Sequence, residues 1–86
     1  MKVLYKADTK KVSDTSSYHE LVQKCVQLFV TLPENCIGNE FKFFYMDNEG
    51  DVISVTNQDD LLEARCQGSL KLCLAKSSED ARDQLN

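Results

Sequence analysis

A run of acidic side chains in the middle of the chain is the strongest chemical feature of the sequence. Residues 47–63 contain six carboxylates and no basic residue: Asp47, Glu49, Asp51, Asp59, Asp60 and Glu63. Carboxylates crowded in this way repel one another, which lowers stability unless a cation approaches them. The pattern therefore favours an acidic surface that binds a positively charged group, and the alternative interpretation is a solvated acidic loop.

Calcium is the first cation to consider, because the spacing of Asp47, Glu49 and Asp51 is like part of an EF-hand loop. That loop requires glycine at its sixth position and glutamate at its twelfth, whereas Gly50 stands fourth here and Gln58 twelfth. The flanking segments also alternate as strands do and lack the periodicity of helices. We therefore expect no calcium ion at this segment.

Cysteine and histidine give no sign of another metal or of a cofactor. The four cysteines, at positions 25, 36, 66 and 73, include no C-x-x-C pair, and His19 is the single histidine. A structural zinc site usually has ligands paired at close spacing. The sequence also has no glycine-rich phosphate loop and no nucleophile motif, and His19 is interpreted as a surface residue. We expect reduced thiols, no metal, no cofactor and no catalytic activity.

The N-terminal segment carries the opposite charge. Residues 1–13 have a local net charge of +3, from four lysines and one aspartate: Lys2, Lys6, Lys10, Lys11 and Asp8. A lysine ammonium group forms charge-assisted hydrogen bonds with carboxylates, and these are about twice as strong as neutral ones. One such lysine relieves the repulsion among several acids at once. The alternative interpretation of these lysines is an ordinary solvated strand face.

The overall composition limits the classes of protein and of partner. The chain has 86 residues and a net charge of −4, and its pI is near 4.8. This acidic balance argues against nucleic acid, because phosphate contacts need a basic surface. The content of 42% hydrophobic residues is enough for one core. The longest apolar stretch, residues 25–33, is shorter than the ~20 residues of a membrane span.

The expected location follows from the thiols and from the start of the chain. Met1 leads directly into a charged, strand-like segment, so no secretory signal is expected. Reduced cysteines are typical of the cytosol. The sequence therefore predicts a cytoplasmic protein without a membrane partner.

Alternation and helical spacing predict the elements of the first half. Residues 2–7 alternate between two faces and are predicted as a strand, followed by a tight turn over Asp8-Thr9-Lys10 and a short return strand over residues 10–13. Ser17 and Glu20 have the spacing of a capping box, which begins a helix. The apolar stripe of this helix continues until Pro33 stops it, and its members are Leu21, Cys25, Leu28, Phe29 and Leu32.

The second half repeats a hairpin and a helix. The turn of the hairpin contains Gly50, which is free to take a positive φ. Asn57 caps a short helix with Asp60 at its third position, and Gly68 ends that helix. The predicted strands of this half cover residues 41–46, 51–55 and 70–74.

This order of elements, ββαββαβ, predicts an α+β fold of the ubiquitin-like β-grasp type. Two hairpins flank a helix that packs across a five-stranded mixed sheet, and a second helix follows. One domain over residues 1–76 accounts for these elements. Residues 77–86 are polar, without a core-facing pattern, and are predicted to form a frayed C-terminal tail. Phe44 has the polar parity of its strand and is predicted to be exposed.

At the second hairpin the sequence resembles the acidic motif of the Phox and Bem-one (PB-one) domain family. In that motif an aromatic residue precedes D-x-(D/E)-G-D, and a short strand and an acidic helix start follow. The segment from Tyr45 to Asp51, with Asp59 to Glu63 downstream, fills every one of these positions. The resemblance extends over about residues 1–76 and includes the order of the elements.

The resemblance implies a protein–protein interaction module whose members bind one another front to back. The acidic motif of one domain holds a lysine on the first strand of another, helped by basic residues on the second strand. Lys2 best matches the key lysine and Lys6 is the alternative, while Lys10 and Lys11 match the second-strand cluster. A chain with both surfaces is the bifunctional type, which assembles head to tail with itself or with another PB-one domain. The implied partners are scaffold, kinase, signalling or autophagy-receptor proteins that carry the same domain.

Two other functions of β-grasp domains are alternatives. A ubiquitin-like modifier needs a C-terminal diglycine, whereas the chain ends Asp83-Gln84-Leu85-Asn86, so conjugation is not expected. A Ras-association-like domain would bind a small GTPase through its basic second strand and would leave the acidic hairpin unused.

Overall fold

The computed structural model describes residues 1–6, 8–12, 17–29, 32, 36–68 and 71–85, and these residues form five strands and three helices. In chain order the elements are β1 (Lys2–Tyr5), β2 (Asp8–Lys11), α1 (Tyr18–Leu28), β3 (Lys42–Met46), β4 (Val52–Val55), α2 (Gln58–Cys66), β5 (Lys71–Ala75) and α3 (Ser78–Leu85). The order through β5 is the predicted one. Five residues named in the predictions or ending a predicted element lie outside the described residues: Ala7, Ser13, Pro33, Leu70 and Asn86.

The five strands form one mixed sheet in the order β2-β1-β5-β3-β4. The central pair, β1 with β5, is parallel, and every other neighbouring pair is antiparallel. This α+β arrangement is the predicted ubiquitin-like β-grasp. The two hairpins, β1–β2 and β3–β4, therefore occupy opposite edges of the sheet, and β5 lies between them.

The main core lies where α1 and α2 pack on one face of the sheet. Val3 on β1, Phe43 on β3 and Leu72 on β5 point to this face and are buried. Leu21 on α1 and Leu61 on α2 close over them and are fully buried. Burial of these side chains is the main stabilising contribution to the fold.

The first reversal of the chain comes earlier than the sequence pattern predicts. Lys6 directly follows β1 and has a φ of 55°, a left-handed conformation that turns the chain sharply. Asp8 is consequently already part of β2, which ends at Lys11. The predicted turn over Asp8 to Lys10 is therefore wrong.

Helix α1 begins as predicted but ends earlier. The Ser17 hydroxyl accepts a hydrogen bond of 3.3 Å from the Glu20 N–H, which satisfies one of the unpaired amides of the first turn. After Leu28 the backbone leaves the helical conformation, and Phe29 is the C-cap. Phe29 and Leu32 reach the core from this non-helical backbone, whereas Leu28 is 39% exposed. The prediction of one continuous stripe through Leu32 is therefore wrong.

Residues 78–85 form helix α3, where a frayed tail is predicted. Ser77 caps the helix by accepting a hydrogen bond of 3.2 Å from the Asp80 N–H. Ala81 is fully buried, and Leu85, one turn later, is partly buried. Only these two small or terminal apolar positions face the sheet, which explains why the polar composition conceals the helix.

Helix α3 covers the second face of the sheet. Ala81 packs in a cluster with Phe44, Cys73 and Ala75, and Leu4 and Val52 lie at its margin. Phe44 is only 5% exposed, so its predicted exposure is wrong. Helices α1 and α2 therefore pack on one face of the sheet, and α3 covers the part of the other face formed by β3, β4 and β5.

The four cysteines are free, and their environments predict very different reactivities. Burial raises the pKa of the Cys25 thiol to about 12 and that of Cys73 to about 11, whereas Cys66 is exposed. The thiolate is the reactive form. Alkylation at pH 8, followed by mass spectrometry, should therefore modify Cys66 at least ~100-fold faster than Cys25 and Cys73. Cys66→Ser should remove the fast phase.

The same measurement tests the position of α3. Because the Cys73 sulfur lies 3.9 Å from the Ala81 carbonyl oxygen, deletion of residues 77–86 should expose Cys73 and accelerate its alkylation. Cys25 lies in the other core and is the internal control, whose rate should not change. Equal Cys73 rates with and without the deleted segment would contradict the packing of α3 on this face.

Candidate functional site

The β3–β4 turn fixes the first group of carboxylates. Gly50 has a φ of 84°, a left-handed conformation that glycine adopts without steric cost. Its N–H donates a 3.1 Å hydrogen bond to the Asp47 carbonyl, and the Asp47 N–H donates one of 2.9 Å to the Asp51 carbonyl. The positive φ predicted for Gly50 is confirmed. The turn holds Asp47, Glu49 and Asp51 in one short loop.

Asp47 has a structural part in this loop. Its Oδ1 atom accepts two hydrogen bonds of 2.9 Å, from the backbone N–H groups of Glu49 and of Asp51. Asp47 is half-buried, whereas Glu49 and Asp51 are exposed. The Asp47 carboxylate therefore holds the turn, and the other two carboxylates point into solvent.

The start of α2 fixes the second group in a similar way. The Asn57 side chain accepts a 2.9 Å hydrogen bond from the Asp60 N–H, which confirms the predicted cap. The Asp60 Oδ2 atom in turn accepts from the Thr56 N–H at 3.1 Å and from the Thr56 hydroxyl at 3.2 Å. Asp60 is half-buried, and Asp59 and Glu63 are exposed. Acidic residues in the first turn also interact favourably with the helix dipole.

The carboxylates of the turn and of α2 meet around Tyr45. Burial raises the pKa of the Tyr45 phenol, and the charges of Glu63, Asp47 and Asp60 raise it further. Burial, with a smaller effect from Asp60, likewise raises the pKa of Tyr18. A phenol responds in this way when carboxylates lie close to it. The structure thus brings carboxylates of both groups to one place, and we call the six predicted acids together the acidic surface.

Arg82 is a residue near the acidic surface that the sequence patterns do not reveal. Its Nη1 atom donates a 3.5 Å hydrogen bond to the Gly50 carbonyl, so α3 reaches the β3–β4 turn. Within the described part of the chain, none of the six carboxylates forms an ion pair.

A row of three lysines lies on the other hairpin. In the sheet register Lys2 is directly opposite Lys11 on β2 and also directly opposite Lys71 on β5. Directly opposed residues point to the same face of a sheet, and all three are exposed. We call Lys2, Lys11 and Lys71 the lysine row. Lys71 belongs to it through a strand pairing that local sequence patterns do not show.

Lys10 and Lys6 do not belong to this row. Lys10 is opposite Val3, so it points to the other face of the sheet, and its ammonium group is 3.7 Å from the Asp8 carboxylate. Lys6 lies at the far end of β1 from Lys2, with its Nζ atom 5.4 Å from the Tyr5 ring centroid. The four predicted lysines therefore do not form one group. Of the two candidates for the key lysine, Lys2 is the one flanked by other lysines.

The two charged surfaces lie on opposite hairpins of one sheet. The acidic surface belongs to the β3–β4 edge and to α2, and the lysine row to the β1–β2 edge and β5. Among the described residues there is no group of three or more potential metal ligands. None of the described helices has the length and apolar character needed to cross a membrane.

The chain is thus a β-grasp domain whose two hairpins carry surfaces of opposite charge. The model of the PB1 domain family, named for Phox and Bem-one, matches residues 1–77, and the chain belongs to this family. PB1 domains are protein–protein interaction modules and not a catalytic family, and they typically bind other PB1 domains. No curated protein gives a significant match to the chain. Helix α3 lies beyond the matched residues.

The division of the acids into structural and exposed ones predicts a stability difference. Asp47→Ala removes the acceptor of two backbone N–H groups and should lower the free energy of unfolding by about 1–2 kcal/mol. Asp51→Ala removes the same charge without removing that acceptor and should change it by less than about 0.5 kcal/mol. Urea denaturation of both variants measures the difference. Equal losses would contradict the assignment of Asp47 to the turn.

Proposed function

We propose that this PB1 domain is bifunctional and assembles head to tail, with the acidic surface of one copy bound to the lysine row of the next domain. The observation that carries the proposal is the placement of the two surfaces on opposite hairpins of one sheet. A copy that presents both surfaces outward has one site for each neighbour. Such a contact is heterologous, and it produces rings or open filaments.

On the acidic side we assign the contact with lysine to the exposed carboxylates. Asp51 and Glu49 on the turn, with Asp59 and Glu63 on α2, point into solvent. Asp47 and Asp60 hold the backbone that carries them. Because this backbone geometry exists before binding, a partner lysine meets carboxylates on an ordered turn and helix start, which reduces the entropic cost of the contact.

On the basic side we assign the key role to Lys2. It lies in the middle of the lysine row, with Lys11 and Lys71 on either side. The like charges of its neighbours raise the local positive potential, which favours an acidic partner. Lys6 and Lys10 have secondary parts, because each is placed away from the row.

The wider setting that we propose is a cytoplasmic scaffold, signalling or selective-autophagy receptor protein, with no enzymatic activity in this domain. The family resemblance supports the kind of protein. The four free thiols are compatible with a reducing compartment. Binding of a small GTPase, as in Ras-association-like domains, is the alternative, and it would not require the acidic surface.

Two single variants test the head-to-tail contact. Lys2→Ala disables the lysine row, and Asp51→Ala disables the acidic surface. Loss of one partner of a buried charge pair costs about 2–5 kcal/mol, which is roughly thirtyfold or more in affinity. Each variant alone should therefore be largely monomeric. An equimolar mixture should form a one-to-one dimer, because each molecule keeps one intact surface, and light scattering after size exclusion measures the mass.

The pattern of outcomes separates the alternatives. A mixture that stays monomeric while both variants are folded would refute head-to-tail assembly. If only Asp51→Ala loses association, the basic partner is not Lys2, and Lys6→Ala becomes the next variant. Association unaffected by Asp51→Ala would favour the small GTPase type of interaction.

Salt gives a second test of the same contact. The Debye length falls from ~10 Å at 0.1 M to ~3 Å at 1 M ionic strength, so the attraction between the two charged surfaces before they meet, and between charges at the rim of the contact, is screened at high salt. The apparent mass of the unmodified domain should fall towards that of a monomer across this range. An oligomer whose mass does not change with salt would indicate an apolar interface instead.

A further inference from the structure

The two edge strands of the sheet differ in character. Strand β4, at one edge, contains no charged residue and no proline, and its Ile53 is 37% exposed. Strand β2, at the other edge, carries Lys10 and Lys11 and begins with Asp8. Edge strands present unpaired backbone groups, and an uncharged edge is a template for pairing with another strand. The described residues add no further strand beyond either edge.

The turn determines which backbone groups of β4 point outward. The Asp47 N–H donates to the Asp51 carbonyl, and hydrogen-bonded pairs alternate along an antiparallel ladder. Ile53 and Val55 therefore direct their N–H and C=O groups towards β3, while Val52 and Ser54 direct theirs outward. The next outward N–H, that of Thr56, is already bonded to the Asp60 carboxylate at 3.1 Å. The open part of this edge is thus Val52 to Ser54.

The same reasoning applies to β2. The Val12 N–H donates a 2.8 Å hydrogen bond to the Met1 carbonyl, which sets the alternation along the β1–β2 ladder. The backbone N–H and C=O groups of Lys10 consequently point towards β1, whereas those of Thr9 and Lys11 point outward. Each edge therefore has two residues whose backbone N–H and C=O groups point outward, and one residue lies between them.

Strand direction makes the two edges compatible. β1, β5 and β4 run in one direction, and β2 and β3 run in the other. A second copy placed beside the first, with its helices on the same side, therefore brings its β2 antiparallel to β4. In the register that places Ser54 opposite Thr9 of the second copy, Val52 lies opposite Lys11 of the second copy. Both pairs are then hydrogen-bonded pairs of an antiparallel ladder.

We propose that neighbouring copies join by adding β2 of one copy to β4 of the previous one, in this register. The inference rests on the head-to-tail function proposed above and adds to it a continuous backbone ladder. In this arrangement the β3–β4 turn of the first copy lies at one end of the joined sheet. At the same end lie three parts of the second copy: the first residue of β1, the first residue of β5 and the last residue of β2. The acidic turn therefore lies beside the end of the sheet that carries the lysine row.

Charge also decides against the symmetric pairings. Two copies related by a two-fold axis could pair β4 with β4. The acidic surfaces of both copies would then lie along the same interface. Pairing of β2 with β2 would likewise bring together Lys10 and Lys11 of both copies. Like charges at close range destabilise a contact. The combination of β4 with β2 is the one that places opposite charges together.

The one-to-one dimer of the Lys2→Ala and Asp51→Ala variants tests the pairing. In that dimer the Lys2→Ala copy uses its β4 edge, and the Asp51→Ala copy uses its β2 edge. Ser54→Pro removes an outward N–H without removing a hydrogen bond to β3, and edge strands accept proline at such positions. Placed in the Lys2→Ala copy, it should weaken the dimer about tenfold or more. In the Asp51→Ala copy, where β4 is unused, it should have no effect.

Two further measurements complete the test. Ser54→Ala in the Lys2→Ala copy keeps the N–H and should leave the affinity within about twofold, and thermal unfolding checks that each variant is folded. Amide hydrogen exchange of the dimer without proline should show new protection at Val52 and Ser54 of one copy and at Thr9 and Lys11 of the other. Ile53 and Val55, already bonded to β3, should not change.

The outcomes distinguish this inference from the function on which it rests. A dimer that forms with unchanged exchange at those four amides, and with equal affinity when Ser54→Pro is in either copy, would overturn the strand pairing and leave the head-to-tail contact intact. Failure of the two folded single variants to form any dimer would overturn both proposals.

Discussion

The parallel pairing of β1 with β5 determines the rest of the arrangement. It places the last strand in the middle of the sheet, so the first hairpin must lie on one side of it and the second hairpin on the other. The basic and the acidic segments of the chain belong to these two hairpins, and the pairing therefore separates their charges. It also brings Lys71 beside Lys2, although 69 positions separate them in the sequence. The pairing of β1 with β5 thus both divides the two surfaces and completes one of them.

Features that depend on a few neighbouring residues could be predicted from the sequence. The turn at Gly50, the caps at Ser17 and Asn57 and the order of the strands all rest on such local signals, and the structure contains them. The composition of the lysine row could not be predicted, because it depends on the register between distant strands. Helix α3 was missed for a different reason: its contact with the sheet is made by Ala81 and Leu85, too few apolar positions to give a helical stripe.

The acidic surface owes its shape to two of its own members. Asp47 and Asp60 each accept two hydrogen bonds from groups of the turn or of the α2 start. Their charge therefore serves two purposes, since it orders the backbone and adds to the negative potential around Tyr45. A motif of this kind cannot be read as a set of equivalent ligands. Asp47 and Asp60 hold the backbone in place, and the other carboxylates are exposed to solvent.

Backbone pairing and charge pairing contribute differently to a contact between sheets. Charges act over a Debye length, so they steer two domains together and exclude partners of the wrong sign. They leave the register loose, because a lysine reaches several carboxylates with similar energy. A backbone ladder acts only at hydrogen-bond distance, and a shift by one residue would direct its donors and acceptors away from the partner. If β4 and β2 pair as their outward backbone groups allow, charge selects the partner, and the backbone ladder fixes the position of each copy relative to the next. Each added copy would then turn by the right-handed twist of the sheet, which favours an open filament over a closed ring.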